Sequence, residues 1–540
     1  MAQEFAPLAE HIVDAVLEIS PALAAWAGDH RFDDRLPDYS PDAVAGDVDM
    51  LRDASNALAM VDVDALDTQD RIDHAVLSSL VDRALFELSE VREHEWNPLE
   101  HNPGSLLNKL ITRRFAPAEE RLISIAARLA AIPDALATAR SVLRDCPRIH
   151  LETAIGQFGG AAALIRDELP GLVAQVPSLA PGIAPLQRDA RRALGEFAGW
   201  LSDRLAEAGD GGRDPRLGRR MWEARLWHTL DTELPAAKVL ELAEANLERV
   251  GTQLREVAAE LVGGDPTDAT VRRALDQLAA EHPDDNTIVD LAKVTLGEAT
   301  EFVREHDLVT LLDDPCEILV MPEFARGVAV AYCEPPGPLE TADLPTFYCI
   351  APTPADWPAE RVESFYREYN NHMLRELSVH EAMPGHYLQL AHARRFRGST
   401  RSRALGFSGQ FVEGWAVYAE ELMVEHGFGG LPVRMQQLKM QLRMTLNAII
   451  DQLVHCDGLS EADAMAMMTG KGFQEEGEAA GKWRRALLTS TQLSTYFVGY
   501  TEVSAIARAR PEGTSPKDWH DAMLAHGSPP PRYVRALLGR

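Results

Sequence analysis

The chain has 540 residues, 46% of them hydrophobic and 25% charged, an ordinary globular balance with length enough for two to four domains. Its formal net charge of −30 argues against a nucleic-acid partner, which needs clustered Lys and Arg on phosphates, and against an anionic membrane surface. Five scattered cysteines, Cys146, Cys316, Cys333, Cys349 and Cys456, form no C-x-x-C pair and predict free thiols in a cytoplasmic chain.

In chain order, "MAQEFAPLAEHIVDAV" carries Glu10 and Asp14 without a basic stretch and does not read as a signal peptide. No uncharged apolar run reaches about 18 residues, so no membrane span is expected. The pattern is then helical nearly throughout. "RLISIAARLAAIP" puts Leu122, Ile125, Leu129 and Ile132 on one face, and Pro133 with Asp134 is expected to open another helix. "AGDGGRDPR" (208–216), "GGDPT" (263–267) and "EHPDDN" (281–286) read as loops. Between the first two, Leu240, Ala243, Leu247, Val250, Leu254, Val257 and Leu261 alternate steps of three and four. An intramolecular helix pair suits that seam better than a coiled coil between chains, because it is short and Gly251 interrupts it.

Strand character is confined to "EILVMPEFARGVAVAY" (317–332) and "TFYCIAP" (346–352), which predict a small sheet or hairpin. Its edge either holds an extended peptide by strand addition or merely covers the core. The expected fold is mainly α. A loose boundary near 300 separates an N-terminal helical region, 1–300, from a C-terminal region, 301–540, or the two intertwine.

The chemistry concentrates in "HEAMPGHYLQ", 380–389. The usual zinc-peptidase helix reads H-E-x-x-H. Here Glu381 follows His380, but the next histidine, His386, stands six positions on. Six residues of regular helix turn about 600° and rise about 9 Å, which parts the two side chains. Pro384 cannot donate to the His380 carbonyl, and Gly385 permits unusual backbone angles. Either the break brings His386 back to a shared metal, or the two histidines are unrelated; with 17 histidines in the chain close pairs are common, and His392 follows after another six residues.

A catalytic zinc takes three protein ligands and keeps a position for water. "FSGQFVEGWAVYAEELMVEHG" reads as a helix over about 409–425, with Glu413 in an apolar setting as the candidate third ligand. Glu420, two turns on, is a candidate acceptor that orients a ligating histidine. Glu421 reads as a solvated surface residue.

"HEAMPGHYLQ" followed by "FVEGWAVYAE" resembles the signature of the domain of unknown function 885 family. "FDDRLPDYS", "EWNPLEHNPGS", "LRMTLNAIIDQLVHCDGLSEADAM", "QLSTYFVG" and "WHDAMLAHGSPP" extend the resemblance over most of the chain. Those proteins look like distant relatives of the gluzincin metallopeptidases, so the resemblance implies a multi-helical metallopeptidase-like fold. It implies that His380, His386 and Glu413 hold a divalent metal, zinc first and one per chain, with Glu381 as general base. "TQLSTYFVGYTEV" is similar to the tyrosine-bearing segment of thimet-oligopeptidase-like enzymes, which makes Tyr496 the candidate oxyanion donor. Tyr500, His526 and Arg532 are candidate substrate contacts. Arg443, His455, Arg484 and Arg485 carry no assigned role.

The expected function is a zinc-dependent hydrolase that cleaves short peptides. A hydrolase of a non-peptide amide or ester and a catalytically silent binding protein are the alternatives.

Overall fold

Where apolar residues recur every three or four positions the chain forms helices, and the described residues are mainly α with one three-stranded sheet. The computed structural model describes residues 5–208, 212–321, 330–355 and 357–539. The chain divides into two compact units. The first comprises 1–215, 336–344 and 398–406; the second comprises 216–335, 345–397 and 407–540. The main division therefore falls in the "AGDGGRDPR" loop and not near 300; residues 209–211 of that loop lie outside the described residues. The reason is packing: helices between 216 and 300 share cores with C-terminal helices.

In the first unit the helix Ala118–Val142 runs through Pro133 instead of starting again there. Leu129 and Ile132 before the proline, and Leu136 and Ala139 after it, are buried in one core with the helices Arg148–Asp167 and Ala180–Ala208. Packing on both sides outweighs the hydrogen bond that the proline removes. By length and composition this helix passes as a membrane span, but its apolar face lies in that core. Two later segments return to the same unit. Arg403 Nε donates to the buried Asp73 at 2.6 Å, and Leu339 N donates to Ala27 O at 2.7 Å.

In the second unit Ala243, Leu247, Val250, Leu254 and Val257 of the helix Ala236–Val262 are buried in a core shared with the helix Gly430–Asp457. The regular seam is thus an intramolecular pair. The sheet has β1 (Cys316–Val320) and β2 (Ala331–Glu334) flanking β3 (Thr346–Ile350). β1 runs parallel to β3, with Cys316 opposite Thr346; β2 is antiparallel, with Ala331 opposite Ile350. The middle of the predicted first strand segment, 322–329, lies outside the described residues.

The stretch before His380 forms two helices. The first, Ala359–Glu368, ends at Tyr369. Asn370 then caps the second, Asn371–Glu381, by accepting from the backbone of His372 and Met373 at 3.1 and 3.2 Å. Tyr348 of β3 ties the sheet to this helix through Ser378, 3.2 Å away.

The helices Gly409–Glu425 and Ser494–Arg508 cross with backbones in contact. A Cβ on Gly414 would fall 2.4 Å from Gly499 C, and one on Gly499 would fall 2.1 Å from Gln410 O. Only glycine at both positions allows the approach, which sets Tyr496 near Glu413. Asp451 fixes the start of the second helix, accepting from Ser494 N at 3.0 Å and Ser494 Oγ at 2.8 Å.

Candidate metal centre

After Glu381 the chain leaves the helical path and folds back on its last turn. Ala382 N and Met383 N both donate to Ser378 O, at 3.1 and 3.0 Å, and Gly385 N donates to Val379 O at 3.0 Å. A Cβ on residue 385 would sit 2.0 Å from His380 O, so the reversal needs glycine there. Trp415 Nε1 donates to Pro384 O at 2.9 Å and holds the loop from the neighbouring helix. A new helix, His386–Ala393, then begins with His386 itself.

The reversal brings the two imidazoles together, with ring centroids 4.7 Å apart and planes at 86°. Glu413 Oε2 lies 3.5 Å from His380 Nε2 and 3.4 Å from His386 Nε2. One ligand atom from each of the three falls within 4.8 Å of the others, the sole such trio among the described residues. Glu413 Oε2 is sealed from solvent and accepts no hydrogen bond. The spacing is too wide for a hydrogen bond, which runs about 2.7–3.2 Å. It matches the edge of a tetrahedral ligand set, about 3.3 Å for bonds of about 2.0–2.1 Å. Donor types, orphaned oxygen and spacing therefore all fit zinc.

Burial pushes the Glu413 carboxyl up, but the two imidazoles more than offset this and hold it well below the usual carboxylate range. Burial pushes His380 down, yet Glu413 and Glu420 together hold it well above the ordinary histidine range. Glu420 Oε1 lies 2.5 Å from His380 Nδ1, which fixes the ring and leaves Nε2 facing Glu413. Behind it stands Glu376, one turn before His380 and 1% exposed. Burial, then the adjacent Glu420 charge, push its carboxyl well up. Sequence reading missed Glu376; the available signal was a glutamate on the buried side of "LRELSVHE".

Glu381 ends the His380 helix, is 9% exposed and has no hydrogen-bond partner among the described residues. Tyr496 accepts from Arg485 Nη2 at 3.2 Å. Burial raises its hydroxyl pKa and the Glu413 charge adds to this, so it stays a donor.

Other candidates are committed elsewhere. Tyr500 donates to Glu421 Oε2 at 2.9 Å and accepts from Gln441 at 3.3 Å, so its hydroxyl is not free to bind a substrate. Glu421 is therefore a half-buried hydrogen-bond partner, also approached by Arg508, and not a solvated surface residue. Arg532 pairs with Asp231 and bonds the Tyr533 hydroxyl at 2.6 Å, both through Nη2, while its Nε is buried without a hydrogen-bond partner. His526 is half-buried in the turn before Ser528 and does not join the trio.

Fold and site together define a mainly helical protein with a cluster of two buried histidines and one half-buried glutamate. Residues 21–538 match the family described as "Bacterial protein of unknown function (DUF885)", and the chain belongs to that family. None of the curated proteins matches it. Among solved structures, a "putative lipoprotein of unknown function" from Shewanella oneidensis is 28% identical, with a TM-score of 0.84 over 100% of both chains. A "putative lipoprotein" from Colwellia psychrerythraea is 16% identical, with a TM-score of 0.81 over 99% of this chain and 98% of that one, and shares the fold. These descriptions overturn the cytoplasmic expectation, since lipoproteins point to a membrane-anchored, extracytoplasmic setting. None of the five cysteines forms a disulfide among the described residues, and this does not fix a compartment.

Proposed function

We propose that this protein is a zinc-dependent hydrolase of the gluzincin type that cleaves short peptides. The observation that carries the reading is the convergence of His380, His386 and Glu413, with Glu420 behind His380. Those three residues would hold the ion. A zinc ion there supplies Lewis acidity: it acidifies water and polarises the scissile carbonyl.

Glu381 is the general base. It takes a proton from water as the water oxygen bonds to the carbonyl carbon, and returns that proton to the amine nitrogen as the C–N bond breaks. Tyr496 donates its hydroxyl proton toward the developing oxyanion, because Arg485 already occupies an acceptor position of that hydroxyl. β2, an edge strand of the sheet, packs beside the His380 helix and offers an extended peptide a strand to pair with. The relatives' description as lipoproteins favours an extracytoplasmic activity.

The test is elemental analysis of the purified protein, followed by turnover on a panel of peptides and non-peptide amides and esters. About one zinc per chain is expected. Glu381→Gln should keep the zinc and lose turnover by at least about 100-fold. A protein that binds no zinc at neutral pH, or a Glu381→Gln variant as active as the parent, rejects the reading. Cleavage of non-peptide substrates alone would retain the hydrolase and reject the peptidase.

A further inference from the structure

We propose that Lys482 and Arg485 form an anion pocket beside this centre that receives the free α-carboxylate of a peptide, so that the protein acts at peptide C-termini. The substrate class rests on the peptidase reading above; the pocket is argued from other residues.

The helix Glu476–Leu488 carries Glu478, Lys482 and Arg485 at spacings of four and three, which sets them on one face. At one end of that face Glu478 pairs with Arg443 and accepts from Tyr369 Oη at 3.4 Å. At the other end Arg485 donates to Gln492 Oε1 through Nε at 3.0 Å and Nη2 at 2.6 Å, and to Tyr496 Oη at 3.2 Å. Tyr496 in turn feels the charges of Glu413 and His380, so this end of the face borders the candidate metal centre.

Lys482 stands between the two ends. It is 6% exposed, yet its ammonium has no hydrogen bond and no ion pair among the described residues. The neighbouring carboxylates are taken: Glu478 by Arg443, and Glu368 by Lys439 at 2.8 Å. Arg485 has no carboxylate partner either, and its Nη1 bonds nothing among the described residues. Lys439 and Arg443 thus occupy Glu368 and Glu478, which leaves Lys482 and Arg485 without a carboxylate partner among the described residues.

A buried, unpaired ammonium is strongly unfavourable. Burial, then the neighbouring Arg443, drive the Lys482 pKa well below its ordinary range. An arriving carboxylate relieves this by pairing with Lys482 and with the open donor of Arg485. Because Arg485 also holds the Tyr496 hydroxyl, the bound carboxylate sits one residue's hydrogen bond from the proposed oxyanion donor. A carboxylate reaches such a place either as a chain terminus or as an acidic side chain. The terminus is favoured because Lys482 is almost wholly buried, which suits the end of a chain better than a side chain along it.

The test uses the full-length, zinc-loaded Glu381→Gln protein and three short peptides in calorimetry. One ends in a free acid, one in an amide, and one in an amide with glutamate as its last residue. The free acid is expected to bind at least about 10-fold more tightly than either amide. Lys482→Met should reduce that preference to within about 2-fold, whereas Lys482→Arg should retain most of it. Circular dichroism and zinc content establish that each variant is folded; if Lys482→Met is not, Lys482→Gln takes its place. Equal affinity for acid and amide, undetectable binding of the acid, or equal binding of the glutamyl amide overturns the proposal. Turnover by the wild-type protein keeps the two readings apart. Tight binding of the acid without cleavage retains the pocket and rejects the peptidase; equal cleavage of acid and amide does the reverse.

Discussion

Glu420 Oε1 lies 2.5 Å from His380 Nδ1 across forty residues of sequence, and this contact decides which nitrogen of His380 faces Glu413. A carboxylate in that position fixes the ring and raises its basicity as a ligand. Glu420→Gln is therefore expected to weaken zinc binding by about 10–100-fold while leaving the fold intact. Competition against a chromogenic chelator measures it. Unchanged affinity would show that Glu420 merely fills the core.

Zinc binding should also depend on pH in a defined direction. His380 is held well above the ordinary histidine range by Glu413 and Glu420, so in the ion-free protein it stays protonated at neutral pH. Zinc must displace that proton. Below the raised pKa, affinity is expected to rise with pH by up to about tenfold per unit, and binding should release a proton. Calorimetry in two buffers of different ionisation enthalpy reads the release. Enthalpies that agree in both buffers would contradict the protonated state.

Gly385→Ala tests the reversal itself. The added methyl meets His380 O at 2.0 Å and Val379 O at 2.3 Å, backbone atoms that cannot swing away. His386 is then displaced from His380 and Glu413. The variant should lose most of its zinc and fall in stability by about 1–3 kcal/mol, the usual cost of overpacking. Full zinc content would mean that the loop accommodates the methyl without moving the ligands.

Glu502 offers a check away from the centre. Burial pushes its carboxyl from 4.5 up to about 7, although Thr232 and Gln410 donate to it. A carboxyl with a raised folded-state pKa stabilises the fold at low pH and loses that contribution as pH rises from about 4.5 through about 7. Glu502→Gln should abolish this loss, gaining at most about 3 kcal/mol over the parent between pH 5 and 8. Thermal midpoints at both pH values decide it: a parent and variant that change in parallel exclude the effect.

Much of the site is legible in the chain because its signals are local. A His-Glu pair at the end of a buried helix, a Pro-Gly break, and a glutamate among Phe411, Val412 and Trp415 are all visible without coordinates. Helix 409–425 was predicted to its observed bounds for the same reason, since Ser408 caps it and its apolar spacing is regular. Pro133 misled because a local penalty was read without the core on either side of it. The division near 300 failed because membership of a unit depends on contacts between segments far apart in sequence.

The sequence by itself determined the helices and the residue types available for chemistry, since both follow from periodicity and from side chains fixed by covalent structure. Only the tertiary structure decided which of those side chains converge. His386 returns to His380 because Trp415 and two backbone carbonyls shape the loop. Tyr500 and Arg532 turn away to Glu421 and Asp231, and Lys482 is left buried without a partner. Each of these outcomes depends on a distance between elements separated by tens to hundreds of residues, which no local pattern encodes.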